Sequence, residues 1–387
     1  MKKKLAILGS TGSIGKTLLN IVNQDKKKFE IKLLTANKNY KKLLKQAKKF
    51  NVKNLIITNE KSFLLLKKLN KNKKIKIFNN FDCLEKIFDK RIDYVMSSII
   101  GIQGLLPTYK IIKYTKNIAI ANKESIICGW KLIHKELKRN KTLFIPVDSE
   151  HFSLWYGLNN VDVEKVEKFY LTASGGSLYK TPLKNFANLK KSHVLNHPNW
   201  KMGKKITVDS ATMINKVFEV IEAKNIFDID YQKIKILIHP SSYVHALIKF
   251  TNGMAKVIVH DTNMKIPIFN TLFFNDNRNI SSKDLNIKIL NNLDFSEVNK
   301  RKYPMINILK FLPKKHSLFE TLIVSANDIL VELFLADKIK FNDIYKKLIK
   351  LITLKEFKKL KTKYPNSVKE ILDLNSYVRL KIIKKSI

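Results

Sequence analysis

Cysteine is nearly missing from this 387-residue chain; the two present are Cys83 and Cys128. So few exclude a disulfide framework and a cysteine-built zinc site, and leave both as reduced packing residues. No apolar run approaches the roughly 20 residues that a membrane-spanning helix needs. The start, MKKKLAILGS, has an apolar part of only Leu5 to Leu8 before a Gly/Ser/Thr turn. That is too short for a signal peptide, and it reads as the first β-strand of a cytoplasmic protein. Acids are few as well: 32 Asp and Glu stand against 74 Lys and Arg, a formal net charge of +42. Arginine, the usual base-reading and phosphate-clamping residue, is scarce, and no zinc-finger, RNP or basic-helix pattern occurs. Lysine is spread over nearly the whole length. The charge therefore reads as composition, giving weak attraction of polyanions and of phosphorylated small molecules but no specific nucleic-acid partner. What the chain does have is apolar material, 45% of its residues, enough to fill about two or three domains.

KKLAILGSTGSIGKTLLNIV reads as strand, glycine turn, helix. Gly9, Gly12 and Gly15 form G-x-x-G-x-x-G, a variant of the dinucleotide fingerprint with Thr11 where the second Gly usually stands. Its mechanics are a tight turn, close backbone approach, and a pyrophosphate over a helix start. In NAD-binding units an acid at the end of the next strand takes the ribose 2′-hydroxyl. Here FEIKLLTANKN ends in Lys38 and Asn39, and a positive group favours the 2′-phosphate of NADP. VKNLIIT, KIKIF, RIDYVMSSI and NIAIA follow with helical segments between them, the alternation of a doubly wound parallel sheet and an α/β fold. Asn122, Lys123 and Glu124 lie at the carboxyl end of NIAIA, where such sheets bind ligands. They could equally be a polar loop, with Glu124 opening a helix. An ordinary dehydrogenase acting on an oxo-acid or semialdehyde would use the same domain.

TLFIPVDSEHFSLW puts Asp148, Ser149 and Glu150 at the end of another apolar strand, where residues i and i+2 share a side, so Asp148 and Glu150 can converge. Two carboxylates on one side repel unless a cation or proton joins them. Ser174, Gly175 and Gly176 in LTASGGSLY form a turn suited to phosphate. HPNWKMGKKITVDSATMINKVFE, from His197 to Glu219, reads as a loop and then a helix beginning at Ser210. A helix start favours anions, so Ser210, Asn215 and Lys216 suit a phosphate, while Glu219 suits a cation. With Asp148 and Glu150, Glu219 completes an all-carboxylate set, which selects Mg²⁺ or Mn²⁺ over zinc. The plainer reading is an amphipathic helix with Ile214, Val217, Phe218 and Ile221 in the core, its polar residues outside, and Asp209 or Ser210 as N-cap.

GSTGSIG, IANKES, VDSEH, ASGG, HPNWKMGKKITVDSATMINK and IHPSSYVH occur in this order along the chain. In these blocks it closely resembles the 1-deoxy-D-xylulose 5-phosphate reductoisomerase family over essentially its full length. The resemblance implies NADPH, and Mg²⁺ or Mn²⁺ with Co²⁺ as a further candidate. It implies a sugar phosphate substrate and a homodimer that needs neither membrane nor nucleic acid. It assigns Thr11, Gly12, Ser13 and Ile14 to the NADPH phosphates, and Lys38 and Asn39, beside Asn37, to the 2′-phosphate and adenosine side. Asn122, Glu124 and Gly203 become further cofactor contacts. Asp148, Glu150 and Glu219 become metal ligands, and Lys123 a substrate contact that could move protons. Ser149, Ser174, His197, Ser210, Asn215 and Lys216 fall in the substrate pocket, with Glu150 and Glu219 bordering it. Trp200 and Met202 match a flap that closes over substrate. Departures from the family pattern are Asn37 and Ala173, each in place of a common Gly, together with Thr262-Asn263-Met264 and Ser325-Ala326-Asn327-Asp328. The implied organisation is a Rossmann-like NADPH-binding domain over 1–147 and a central α+β catalytic domain over 148–275. A linker over 276–311 and a C-terminal helical bundle over 312–387 complete it.

Overall fold

The structure, a computed structural model, describes residues 1–200, 202–276 and 278–386, without the side chains of 187, 188, 385 and 386. The chain divides into two compact units. The first comprises 1–125, 132–148 and 264–280; the second comprises 126–131, 149–263 and 281–387.

The first unit is built on a seven-stranded sheet in the order β4-β3-β2-β1-β5-β6-β7. The strands are β1 (Lys3–Leu8), β2 (Phe29–Ala36), β3 (Asn54–Ile57), β4 (Lys76–Phe78), β5 (Ile92–Ser97), β6 (Thr115–Ile120) and β7 (Leu143–Pro146). Every pairing is parallel. Leu5, Ala6, Ile7 and Leu8 of the central strand are wholly buried, as a strand covered on both faces requires. Chain order reverses between β1 and β5, and the crevice at the carboxyl ends of those strands is where such sheets take their ligands. Gly9 closes β1 with φ +84°, and Ser98 after β5 donates both its amide (3.0 Å) and its hydroxyl (2.7 Å) to the Leu8 carbonyl. A Cβ at Gly15 would lie 2.5 Å from the Ser10 Cα and 2.6 Å from the Gly9 carbonyl oxygen. Gly15→Ala should therefore push the helix Ser13–Gln24 off the turn, costing about 1–3 kcal/mol of stability and weakening binding of the NADPH that the family resemblance implies. Denaturant titration and cofactor affinity check this, and an unaltered midpoint and affinity would contradict it.

The second unit holds a mixed sheet in the order β11-β10-β8-β9-β12, made of β8 (Val166–Ala173), β9 (Ile234–Ile238), β10 (Val244–Phe250), β11 (Ala255–Val259) and β12 (Ser296–Glu297). Helices Ser149–Gly157 and Ile214–Phe227 cover it, with Leu154, Val220 and Ala223 packed among Phe169, Leu171, Ala246 and Ile248. The C-terminal helical patterns appear as Leu318–Leu335, Phe341–Ile352 and Val368–Ser386, and the first packs against the other two. The stretch 276–311, expected to link, holds the short helix Ile287–Asn291, β12, and a 3-10 segment Pro304–Phe311 that buries Met305, Ile306 and Ile308. Among the described residues no helix is long and apolar enough to cross a membrane.

Candidate functional site

In the first unit, Gly12 caps the helix Ser13–Gln24, whose first turn carries no acid. Thr11, Gly12 and Ile14 are half-buried and Ser13 is exposed, so the helix amides are open to an anion. Beyond β2, Asn37, Lys38 and Asn39 are exposed. Asn37 donates to the Thr58 hydroxyl (2.8 Å), and Asn39 caps the helix Tyr40–Phe50 by accepting from the Lys42 amide (3.3 Å). Asn122 is an N-cap, accepting from the Ser125 amide (2.7 Å), and its amide group donates to the carbonyl of Gly101 (2.9 Å) and the carboxylate of Glu124 (3.1 Å). The loop reading of Asn122 and Glu124 thus holds structurally, since they open the helix Lys123–Arg139. Lys123 forms an ion pair with Asp148 at 2.7 Å, both largely buried.

The expectation that Asp148 and Glu150 share a strand is corrected. β7 ends at Pro146 and a helix starts at Ser149, so Glu150 sits in a first helical turn and the i, i+2 rule has no hold on it. The helix start expected at Ser210 is corrected too. Ser210 lies in the last turn of the helix Lys204–Thr212, and Met213, at φ +67°, breaks the chain before Ile214–Phe227 begins. Asn215 and Lys216 consequently fall in the first turn of the second helix. The plainer reading put this helix's polar residues outside, yet Lys216 is 4%, Glu219 1% and Glu222 1% exposed.

Those buried groups form one network in the second unit. Carboxylate oxygens of Glu150 and Glu219 lie within 4.8 Å of each other. The Lys216 ammonium bridges them, donating to Glu150 (2.8 Å), to Glu219, and to the Thr172 carbonyl. Ser149 donates to the other Glu150 oxygen (2.7 Å), and Asn215 to the other Glu219 oxygen. Burial works to lower the Lys216 pKa, but Glu150 and Glu219 outweigh it and hold the ammonium above the ordinary lysine range. Two further residues escaped the sequence reading. His151 approaches the Glu219 carbonyl through Nε2 (2.8 Å) and the Glu222 carboxylate through Nδ1 (3.4 Å). Their signal was adjacency to Glu150 and an i, i+3 step from Glu219. An all-oxygen pair of carboxylates, Glu219 buried and Glu150 half-buried, suits a hard divalent cation, so the residues fit a magnesium-class ion.

A second cluster surrounds Ser174. Its hydroxyl accepts from the Gly176 amide (3.1 Å) and meets His197 Nε2 (3.1 Å). His197 Nδ1 accepts from the amides of Asn199 (3.2 Å) and Trp200 (3.0 Å). That nitrogen therefore carries no proton, and Nε2–H donates to Ser174. Burial lowers the His197 pKa below its usual value. At Gly176, φ +66°, a Cβ would stand 2.7 Å from the Ser210 carbonyl oxygen, so glycine lets the Ser174 loop reach Ser210. Trp200 meets His245 edge-on at 6.2 Å between centroids. Met202 is half-buried, and Gly203, exposed, caps the helix Lys204–Thr212.

Models of 1-deoxy-D-xylulose 5-phosphate reductoisomerase, of its C-terminal domain, and of a further DXP reductoisomerase C-terminal domain match residues 5–129, 144–227 and 260–381. A 1-deoxy-D-xylulose 5-phosphate reductoisomerase of Pelagibacter ubique is 58% identical, and the match covers all of both chains. The reductoisomerase of Zymomonas mobilis, solved in complex with NADPH, superposes with a TM-score of 0.87 at 28% identity over 100% of this chain and 99% of that one. A DOX-P reductoisomerase solved with NADPH, fosmidomycin and magnesium gives 0.90 at 30% identity over 99% and 98%. The chain belongs to the 1-deoxy-D-xylulose 5-phosphate reductoisomerase family.

Proposed function

We infer that the chain converts 1-deoxy-D-xylulose 5-phosphate to 2-C-methyl-D-erythritol 4-phosphate, using NADPH and a divalent cation, in non-mevalonate isoprenoid biosynthesis. The observation that carries the reading is the Glu150–Lys216–Glu219 network, in which Lys216 and Glu219 are buried. Glu150 and Glu219, with Asp148 two residues before Glu150, are the proposed ligands of Mg²⁺ or Mn²⁺. A bound ion of this class polarises substrate oxygens and stabilises negative charge as the carbon skeleton rearranges. NADPH supplies the hydride that reduces the rearranged aldehyde. The ion would compete with Lys216 for the two glutamates and free its ammonium for the substrate phosphate, beside Ser174, Ser210 and Asn215. Ser149 and Lys123 are proposed to contact the sugar oxygens. Lys123, already paired with Asp148, is also a candidate for moving protons. Phosphate contacts far from the reacting carbons supply orientation.

For the cofactor, Thr11, Gly12, Ser13 and Ile14 are proposed to hold the pyrophosphate, with Lys38 on the 2′-phosphate flanked by Asn37 and Asn39. Asn122, Glu124 and Gly203 are proposed as further contacts. By the same reading 1–147 binds NADPH, 148–275 carries the metal site and flap, and 312–387 is a supporting bundle joined by 276–311. A homodimer across the β11 edge completes the proposal; the exposed Met254 and Val257 there support it.

His197 is a positioning group whose neutral form holds Ser174 on one side and the Trp200 segment on the other. Its folded pKa is depressed, so these contacts persist above the usual value near 6.5 and are lost as pH falls through the lower folded value. Substrate KM is expected to rise several-fold as pH falls through the depressed His197 pKa, below the usual histidine value, with kcat less affected. A flat KM over that window would contradict the assignment. Trp200→Ala should raise KM and lower kcat together, about tenfold or more in kcat/KM, as loss of a lid does. Unchanged values would remove Trp200 from the flap. The function itself is tested by NADPH oxidation with 1-deoxy-D-xylulose 5-phosphate, with and without Mg²⁺ or Mn²⁺. Oxidation is expected only when metal and substrate are both present, and a folded sample inert with every metal would refute the reading.

A further inference from the structure

The second unit contains a cavity of about 370 Å³ to which none of the roles above has been given. Its floor includes Phe186 and Phe341, packed edge to face at 6.3 Å. Lys184, Arg301, Lys302 and Lys346 line it, and among the described residues no carboxylate does. Lys184, Arg301 and Lys346 are exposed and form no ion pair among the described residues. Lys302 is half-buried; burial lowers its pKa, with no neighbouring acid to offset that. Apolar walls under convergent cations recognise a compact ligand that has both an apolar body and an anionic head.

The cavity also shares its wall with the phosphate cradle. Ala211 and Thr212 line it directly after Ser210. The Lys302 ammonium donates to the Tyr179 carbonyl, and the neighbouring Tyr303 hydroxyl donates to the Gly175 carbonyl (2.8 Å). Both therefore tie down the loop that carries Ser174. An anion that draws Lys302 away from Tyr179 loosens that loop.

We propose that this cavity binds a small amphipathic phosphate ester, of the short alkyl diphosphate class, and that its occupancy raises the KM for substrate by releasing the 174–179 loop. The link to KM rests on Ser174 as a phosphate contact; binding of the ligand does not. The high net charge would draw any polyanion, so the apolar part must be shown to count. Calorimetric titration of the full chain at about 0.15 M salt, with hexyl diphosphate and with inorganic pyrophosphate, makes that separation. Hexyl diphosphate should bind at least about tenfold tighter than pyrophosphate. The double variant Lys184→Glu/Lys346→Glu, or its milder form Lys184→Gln/Lys346→Gln, should lose at least about tenfold in hexyl diphosphate affinity while keeping kcat. At saturation the probe should raise substrate KM at least about threefold in the parent chain and not in the variants. Equal affinity for the two probes, undiminished binding by the variants, or a KM effect that persists in them would overturn the site. Binding without a change in KM would overturn its linkage to the cradle.

Discussion

Glu219→Gln is expected to lower kcat by about a thousandfold, close to 4 kcal/mol of transition-state stabilisation, and to weaken Mn²⁺ binding at least about a hundredfold. The substitution keeps the side chain's size and its place in a well-packed helix, so the fold should survive. It removes one of two negative charges that lie within 4.8 Å of each other and share the Lys216 ammonium. A neutral amide in that place offers a divalent ion a weaker ligand, and it turns an N–H toward a position where only acceptors are useful. NADPH affinity should be unaffected, since Glu219 is not among the proposed NADPH contacts. Turnover and Mn²⁺ titration read the result directly. Full activity with undiminished metal affinity would take Glu219 out of the site.

Lys216→Met should act on stability as well as on catalysis. The ammonium is buried and neutralises Glu150 and Glu219 together. Removing one partner of a buried charged group leaves the others uncompensated and costs about 3–5 kcal/mol. In the variant, an added divalent cation takes over the neutralising role. Mn²⁺ should therefore raise the denaturant midpoint of Lys216→Met by clearly more than it raises that of the parent chain. Activity should still be lost, because the proposed phosphate contact is gone. Urea titrations of both proteins with and without Mn²⁺ decide the point. Equal metal effects on the two would mean that Lys216 does not hold the position an ion takes.

Much of the first unit was legible in residue order. Leu5 to Leu8 ahead of Gly9, Gly12 and Gly15 can scarcely do anything but form a buried strand entering a tight turn, and they do. The second unit was less legible where local signals were ambiguous. VDSEH carries no mark telling a strand end from a helix start, and the helix prevailed at Ser149. Met213 at φ +67° breaks two helices without a glycine to announce it, so the sequence suggested a helix start four residues too early. Lys216, Glu219 and Glu222 resemble the wet face of an amphipathic helix, and only the packing of both of its sides reveals them as buried. His151 went unnoticed for a related reason: its partner is a backbone carbonyl 68 residues away in sequence, which no motif records. The family resemblance rested on the blocks themselves, and so it survived these local misreadings.

The central claim is that Glu150 and Glu219, with Asp148, grip one divalent ion. Anomalous diffraction from crystals of the chain grown with Mn²⁺ tests it most directly. The account predicts a single strong peak bonded to carboxylate oxygens of Glu150 and Glu219, with the Lys216 ammonium no longer bridging them. A map with no peak between those two side chains, in crystals that bind Mn²⁺ elsewhere, would contradict it.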